Sequence, residues 1–121
     1  LLNFGHTAGH AAEMLSGYTL RHGEAVGLGM LIITRAAEVM GICVPGVAEK
    51  IESALRAMDL PTRCPYSSRQ LALAALGDKK RRGDEFTLVM PRRVGECFLY
   101  PVEAGRLPEI LSLGMEEPPC A

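Results

Sequence analysis

The chain has 121 residues, of which 48% are hydrophobic and 22% are charged, as in one ordinary globular domain. Its formal net charge of -1 excludes a general nucleic-acid-binding protein, since the basic run at residues 79–82 is too short for that function. The longest apolar stretch, residues 26–33, is too short to span a membrane. No segment resembles a signal peptide, and the four cysteines lack close metal-binding spacings, so we expect reduced thiols and a cytoplasmic location.

Two helices are predicted at the start of the chain. Residues 6–15 have helical composition, and Gly17 predicts the end of this helix because glycine readily adopts the left-handed cap conformation. A longer helix is predicted for residues 23–40, ending at Gly41. We expect the glycines of this region to be packing positions where a neighbouring backbone approaches closely. These glycines are Gly5, Gly9, Gly27 and Gly29, and the apolar face of the longer helix comprises Val26, Met30, Ile33 and Ala37.

A third helix is predicted to begin at Pro45 or Gly46 and to end near residue 58. Ser67 or Ser68 is a candidate N-cap for a short helix over residues 69–76, followed by a charged loop at residues 77–85. The side chains of the third helix that we expect to face inward are Val47, Ile51, Ala54, Leu55 and Met58.

The last third of the chain predicts a small sheet and a final helix. Residues 86–90 alternate and are bounded by Pro91, so they predict a strand that pairs with residues 96–100 across a turn at residues 92–95. A helix is predicted for residues 103–113 and a loose tail for residues 115–121. The predicted fold class is therefore mainly α, with a small late β-hairpin.

All three histidines of the chain lie in its first 22 residues. His6 and His10 are four residues apart, which places them on one face of a helix, about 6 Å apart along its axis. His22 follows after a turn. Convergent histidines suggest zinc, but a zinc site needs three or four protein ligands, so packed or surface histidines are an equally open interpretation of the spacing alone.

Two glutamates lie near the histidines in sequence. Glu13 is a nearby candidate, and no fourth metal ligand is evident from the spacing. Glu24 is two residues from His22 and would point elsewhere on a helix. It would either cap a helix start or partner a histidine, and we favour the second role.

The segments NFGHTAGHA at residues 3–11 and HGEAVGLGM at residues 22–30 resemble the signature of the 3-dehydroquinate synthase family. GDKK at residues 77–80 resembles a lysine-containing loop of that family, and the predicted strand pair also has a counterpart there. The order and spacing agree along most of the chain. The resemblance implies that residues 1–121 form a C-terminal helical, metal- and substrate-binding domain of the dehydroquinate-synthase-like fold, and that an NAD-binding α/β domain precedes it in a longer polypeptide.

The same resemblance implies a reaction and its participants. The parent enzyme would convert 3-deoxy-arabino-heptulosonate 7-phosphate, a sugar-acid phosphate, to 3-dehydroquinate and phosphate in the shikimate pathway. The implied cofactors are Zn²⁺ or Co²⁺, and NAD bound mainly by the preceding domain. The implied assembly is a homodimer.

The resemblance also implies roles for individual residues. His6 and His22 match the family's metal-binding histidines, and the third ligand is a glutamate in the preceding domain. His10 and Asn3 match residues that line the substrate pocket. Either Lys79 or Lys80 would reach the phosphate side of the substrate. These residues are His6, His10, His22, Asn3, Lys79 and Lys80.

Other functions stay open. Sugar-phosphate cyclases of the 2-deoxy-scyllo-inosose or valiolone type share much of the motif, and Asn3 with residues 78–80 argues against them less firmly than against the related alcohol and glycerol dehydrogenases. A non-catalytic helical module used for association is a further alternative. We expect the isolated chain to lack synthase activity, to bind zinc weakly and to expose an apolar face that favours dimerisation.

Overall fold

A computed structural model describes residues 6–79 and 85–115 of the chain, with the backbone alone at residues 6, 76–79, 85, 86 and 104. The predicted fold class, mainly α with a late hairpin, is confirmed. Within these residues the elements are α1 (His6–Leu15), α2 (His22–Val39), α3 (Val47–Ala57), α4 (Ser68–Lys79), β1 (Glu85–Arg93), β2 (Glu96–Glu103), a 3-10 turn (Ala104–Arg106) and α5 (Leu107–Leu113).

Helix α2 is the central element of the fold. It contacts α1, α3, α5 and β1, and it is buried around most of its circumference. The predicted apolar face is confirmed at Ile33 and Ala37, which are fully buried, whereas Val26 and Met30 are half-buried. The core around α2 also contains Ala36, Leu71, Leu88, Met90, Leu107, Ile110 and Leu111.

The backbones of helices α1 and α2 are in close contact at Gly9. A Cβ atom at this position would lie 2.7 Å from the carbonyl oxygen of Ala25, so any side chain there would push the two backbones apart. The expected role of Gly9 as a backbone contact is confirmed. Gly27 is different, because the atom nearest to a Cβ there would be Cδ2 of Leu55, at 2.8 Å, which belongs to a side chain of α3.

The hairpin is longer than the sequence predicts. Strands β1 and β2 are antiparallel, with Leu88 opposite Tyr100, and Gly95 takes a positive φ of 85° in the turn. The expectation that Pro91 ends the first strand is wrong: β1 continues to Arg93, and Pro91 lies opposite Cys97. In a two-stranded sheet each strand has an outer edge, where a residue without an N–H group is tolerated.

Two helix boundaries also differ from the prediction. Helix α4 continues to Lys79, so the predicted loop at residues 77–85 is wrong for residues 77–79, which are helical, and for Glu85, which begins β1. The last helix begins at Leu107 instead of residue 103, because β2 and a 3-10 turn occupy the intervening residues. Residues 80–84 and 116–121 lie outside the described residues.

The N-cap of α4 is Ser67. Its hydroxyl oxygen accepts a hydrogen bond from the Gln70 backbone at 3.1 Å, and the Gln70 side chain accepts one from the Ser67 N–H at 2.9 Å. In α3, Val47 and Leu55 are buried as expected and Ile51 is half-buried, but the inward orientation predicted for Ala54 and Met58 is wrong, since both are exposed. None of the described helices is long and apolar enough to cross a membrane.

We predict that Gly9→Ala lowers the free energy of unfolding by about 1–3 kcal/mol, because the added methyl group must separate α1 from α2. The matched control is Gly23→Ala, in the first turn of α2, where an added Cβ meets no atom within 4 Å. Urea unfolding of both variants measures the difference. Equal effects at the two positions would contradict the close packing at Gly9.

Candidate functional site

The segment between α1 and α2 reverses the chain within a few residues. Gly17 and Tyr18 both adopt positive φ, 65° and 66°, and so turn the backbone sharply after α1. The Ser16 hydroxyl donates a hydrogen bond to the Glu13 carbonyl oxygen at 2.8 Å and accepts one from the Leu20 N–H at 3.1 Å. These local bonds hold the turn against the end of α1, so that α2 begins beside α1.

The start of α2 is capped by its own glutamate. The Arg21 backbone N–H donates a hydrogen bond to Oε1 of Glu24 at 2.8 Å, and Glu24 lies in the first turn of the helix, where a negative charge is favourable. The structure therefore assigns Glu24 the capping role. The role that we favour from the sequence, a partner of a histidine, is wrong for His10 and His22, whose described carboxylate contact is with Glu13.

The carboxylate that contacts the histidines belongs to Glu13. Its Oε1 lies 3.2 Å from Nδ1 of His22 and 3.8 Å from Nδ1 of His10. The Glu13 side chain is only 14% exposed, whereas those of His10 and His22 are 46% and 67% exposed. We call this arrangement the His10–Glu13–His22 cluster. It joins α1 to the first residue of α2 and directs two imidazoles toward solvent around one carboxylate.

The structure describes only some atoms of the other predicted site residues, or none. His6 is the first residue of α1, four residues before His10, and Lys79 is the last residue of α4, a helix that contacts α1; for both, only the backbone is described. Asn3 and Lys80 lie outside the described residues. Among the described side chains, no group of three histidine, cysteine, aspartate or glutamate residues is arranged to hold a metal ion.

Sequence reasoning noted Glu13 only as a nearby candidate and did not assign it to a histidine. One signal was available: Glu13 follows His10 by three residues, a spacing that brings two side chains together on a helix. Its contact with His22, nine residues away, depends on the turn between the helices and has no local sequence signal.

An open apolar groove adjoins the cluster. It has a volume of about 430 Å³, begins at His22 and runs between α2 and α3 as far as Met58. Val26, Met30 and Ala54 line it. Ala54 and Met58, whose predicted inward orientation is wrong, both line this groove and are exposed in it. Such a surface is suited to burial against another part of a protein.

The described cysteines Cys43 and Cys97 carry free thiols, in agreement with the sequence expectation for these two positions. Burial raises the pKa of the Cys43 thiol, and the nearby Glu38 and Cys97 raise it further. A thiol of this kind stays protonated at neutral pH and is a weak nucleophile. Cys43 therefore belongs to the core and not to a reactive site.

Known proteins resemble this chain in sequence. A family model described as 3-dehydroquinate synthase C-terminal matches residues 1–81. The 3-dehydroquinate synthase of Syntrophotalea carbinolica is 41% identical over 106 residues, which cover 86% of this chain and 29% of that protein. The 3-dehydroquinate synthase of Streptococcus mutans is 38% identical over 112 residues, covering 91% of this chain and 32% of that protein. The chain thus spans about a third of the length of these relatives.

Solved structures resemble the chain in fold. A 2-deoxy-scyllo-inosose synthase complexed with carbaglucose-6-phosphate, NAD⁺ and Co²⁺ matches with a TM-score of 0.73 and 22% identity, over 93% of this chain and 33% of that one. A 2-epi-5-epi-valiolone synthase from Streptomyces hygroscopicus with NAD⁺ and Zn²⁺ bound matches with a TM-score of 0.76 and 24% identity, over 92% of this chain and 31% of that one. At these identities the likeness concerns the fold alone.

We predict that Glu24→Ala lowers the free energy of unfolding by about 0.5–1 kcal/mol more than Glu49→Ala does, because only the first change removes a capping hydrogen bond. Glu49 is an exposed glutamate in the first turn of α3, so both variants lose a similar interaction with a helix N-terminus. Thermal or urea unfolding measures the difference. An equal loss in both variants would argue against the cap.

Proposed function

The chain belongs to the 3-dehydroquinate synthase family, and from this premise we propose that it is the C-terminal, metal- and substrate-binding part of an enzyme that converts 3-deoxy-arabino-heptulosonate 7-phosphate to 3-dehydroquinate and phosphate. The names of its relatives support this activity. The structural observation that carries the proposal is the His10–Glu13–His22 cluster at the junction of α1 and α2. We further propose, from the family resemblance, a cytoplasmic homodimer.

We propose Zn²⁺, or Co²⁺, as the metal, held by His6 and His22 together with a glutamate from another part of the polypeptide. The donor chemistry fits, because imidazole nitrogen is a preferred ligand of both ions. The position of Glu13 fits as well: a carboxylate 3.2 Å from Nδ1 of His22 is the arrangement that orients a histidine for ligation through Nε2. When bound, such a metal lowers the pKa of a substrate hydroxyl.

The remaining residues would bind and orient the substrate. His10, one helical turn after His6 and half exposed, would exchange a proton or a hydrogen bond with a substrate oxygen. Lys79 or Lys80 would attract the phosphate as a point charge, and Asn3 would hydrogen-bond a substrate hydroxyl. The substrate would lose and later regain a hydride through NAD held mainly by the preceding domain, so the net reaction is the loss of phosphate.

A second candidate function is a related sugar-phosphate cyclase. The 2-deoxy-scyllo-inosose and 2-epi-5-epi-valiolone synthases share the fold, with TM-scores of 0.73 and 0.76, so the fold is compatible with their reactions as well. The sequence favours the dehydroquinate reaction, because identity is 41% and 38% to the two synthases named above but only 22% and 24% to these cyclases.

The direct test is a chimera in which this chain replaces the matching segment of the Syntrophotalea carbinolica relative. We predict phosphate release from 3-deoxy-arabino-heptulosonate 7-phosphate with NAD and Zn²⁺, and its loss in the His22→Ala chimera, because a metal ligand is removed. An Arg69→Ala chimera, changed at an exposed residue of α4, is the control and should stay active. The 121-residue chain alone should release no phosphate.

The outcomes separate the candidate functions. Release from glucose 6-phosphate or sedoheptulose 7-phosphate, with none from the heptulosonate, would assign the chain to the other cyclases. A folded chimera that releases phosphate from none of the three sugars would overturn an enzymatic role. Full activity in the His22→Ala chimera would refute the metal role of His22.

We also predict that Glu13→Gln weakens zinc binding by the chimera by about 10–100-fold, because the neutral amide accepts only a weaker hydrogen bond from the His22 imidazole. Glu49→Gln, which removes one charge from an exposed position of α3, should leave the affinity unchanged. Competition with a chromogenic chelator measures both affinities. An unchanged affinity in Glu13→Gln would show that the contact between Glu13 and His22 does not support the metal.

A further inference from the structure

The apolar groove lies between two antiparallel helices. At one end of this helix pair, Oε2 of Glu38, near the end of α2, accepts a hydrogen bond from the Ala48 N–H at the start of α3, at 2.7 Å. At the other end, His22 begins α2 and Met58 directly follows α3, and both residues line the groove. The groove therefore extends along the first part of α2 and the later part of α3.

Its walls present accessible apolar side chains. Met58 is 60% exposed, Ala54 is exposed, and Val26, Met30 and Ile51 are half-buried. The members that α3 contributes recur at the spacing i, i+3, i+4 and i+7, which is typical of a helix face that packs against another element. These four residues are Ile51, Ala54, Leu55 and Met58. The spacing and the exposure together indicate a helix face that lacks its packing partner among the described residues.

The lining also limits what can cover the groove. Apart from His22, every residue that lines it is apolar or glycine. An extended segment laid in the groove would bury backbone N–H and C=O groups against side chains that offer no hydrogen-bond partner, which costs free energy. A helix satisfies these groups internally and can present an apolar face. The groove is therefore suited to a further helix.

The position of His22 favours one source for that helix. Under the proposed function, on which this step rests, His22 shares a metal ion with a glutamate from another part of the polypeptide. Zinc ligands lie about 2.0–2.2 Å from the ion, so that carboxylate comes within about 4 Å of the His22 imidazole, at the end of the groove. The Syntrophotalea carbinolica relative has polypeptide available for this contact, since the match to this chain covers only 29% of it.

We propose that the apolar groove is the docking surface for an apolar helix face from the part of the polypeptide that supplies the third metal ligand. Val26, Met30, Ala54 and Met58 pack against that helix. A second copy of this chain is the competing occupant. The metal geometry favours the first, because the segment that carries the glutamate must approach His22.

The first test compares two double variants of α3 in the chimera, without Zn²⁺ or substrate. Ala54→Glu/Met58→Glu places two charges in the groove, whereas Ser53→Glu/Ala57→Glu places them, at the same spacing, on exposed positions that do not line it. We expect the first variant to lower the thermal unfolding midpoint of the chimera by at least about 5 °C more than the second, because a docked helix buries the new charges. In the 121-residue chain, where the groove is open, the two variants should have similar midpoints.

Photo-crosslinking identifies the occupant. The methionines of the chimera are replaced by photo-methionine, a diazirine analogue of similar size. Met30 and Met58, which line the groove, should crosslink to peptides from the relative's part of the chimera. Met90, which is fully buried, is the control and should crosslink only within this chain. Denaturing electrophoresis separates crosslinks within one polypeptide from those between two copies, which double the mass.

Three results would overturn the proposal. The first is an equal shift of the unfolding midpoint in the two double variants of the chimera. The second is that Met30 and Met58 form no crosslink to the relative's part. The third is a crosslink between the matching segments of two copies, which would assign the groove to a second copy of this chain.

These results are independent of catalysis. A chimera that releases no phosphate but shows the expected crosslinks would refute the proposed reaction and retain the docking surface. An active chimera with equal midpoint shifts and no such crosslinks would refute the docking surface and retain the reaction.

Discussion

The backbone contact between Gly9 and Ala25 is the constraint on which the candidate site depends. A Cβ at Gly9 would lie 2.7 Å from the Ala25 carbonyl oxygen, so the backbones of α1 and α2 are in direct contact at this point. Gly9 directly precedes His10, and Ala25 lies three residues after His22. The contact that packs the two helices therefore also brings both imidazoles to the Glu13 carboxylate.

Two glutamates beside the same histidines have different roles because of backbone geometry. Glu24 lies in the first turn of α2, and its carboxylate accepts a hydrogen bond from the N–H group just before the helix. That bond directs it along its own chain. Glu13 lies near the end of α1, where the reversal of the chain carries His22 back to it at 3.2 Å. Glu24 thus caps α2, whereas Glu13 contacts the two imidazoles.

Much of this fold could be predicted from local pattern, because helix composition and terminating glycines are local signals. The bounds of α1 were predicted correctly. The extension of β1 through Pro91 could not be predicted, since it depends on which strand edge faces a partner. The exposure of Met58 depends on what covers α3, and spacing along the chain does not record that.

Within this chain, the histidines of the candidate site are already held in place. Under the proposed function, another part of the polypeptide would supply the third metal ligand. Glu13 contacts both histidines through residues of this chain alone, so the imidazoles are oriented before any other domain is present. A metal shared between His22 and a glutamate of the preceding domain would then bind to both parts at once. By thermodynamic linkage, metal affinity and domain association would strengthen each other by the same factor. The apolar groove, which begins at His22 itself, adds a surface whose burial would favour the same association.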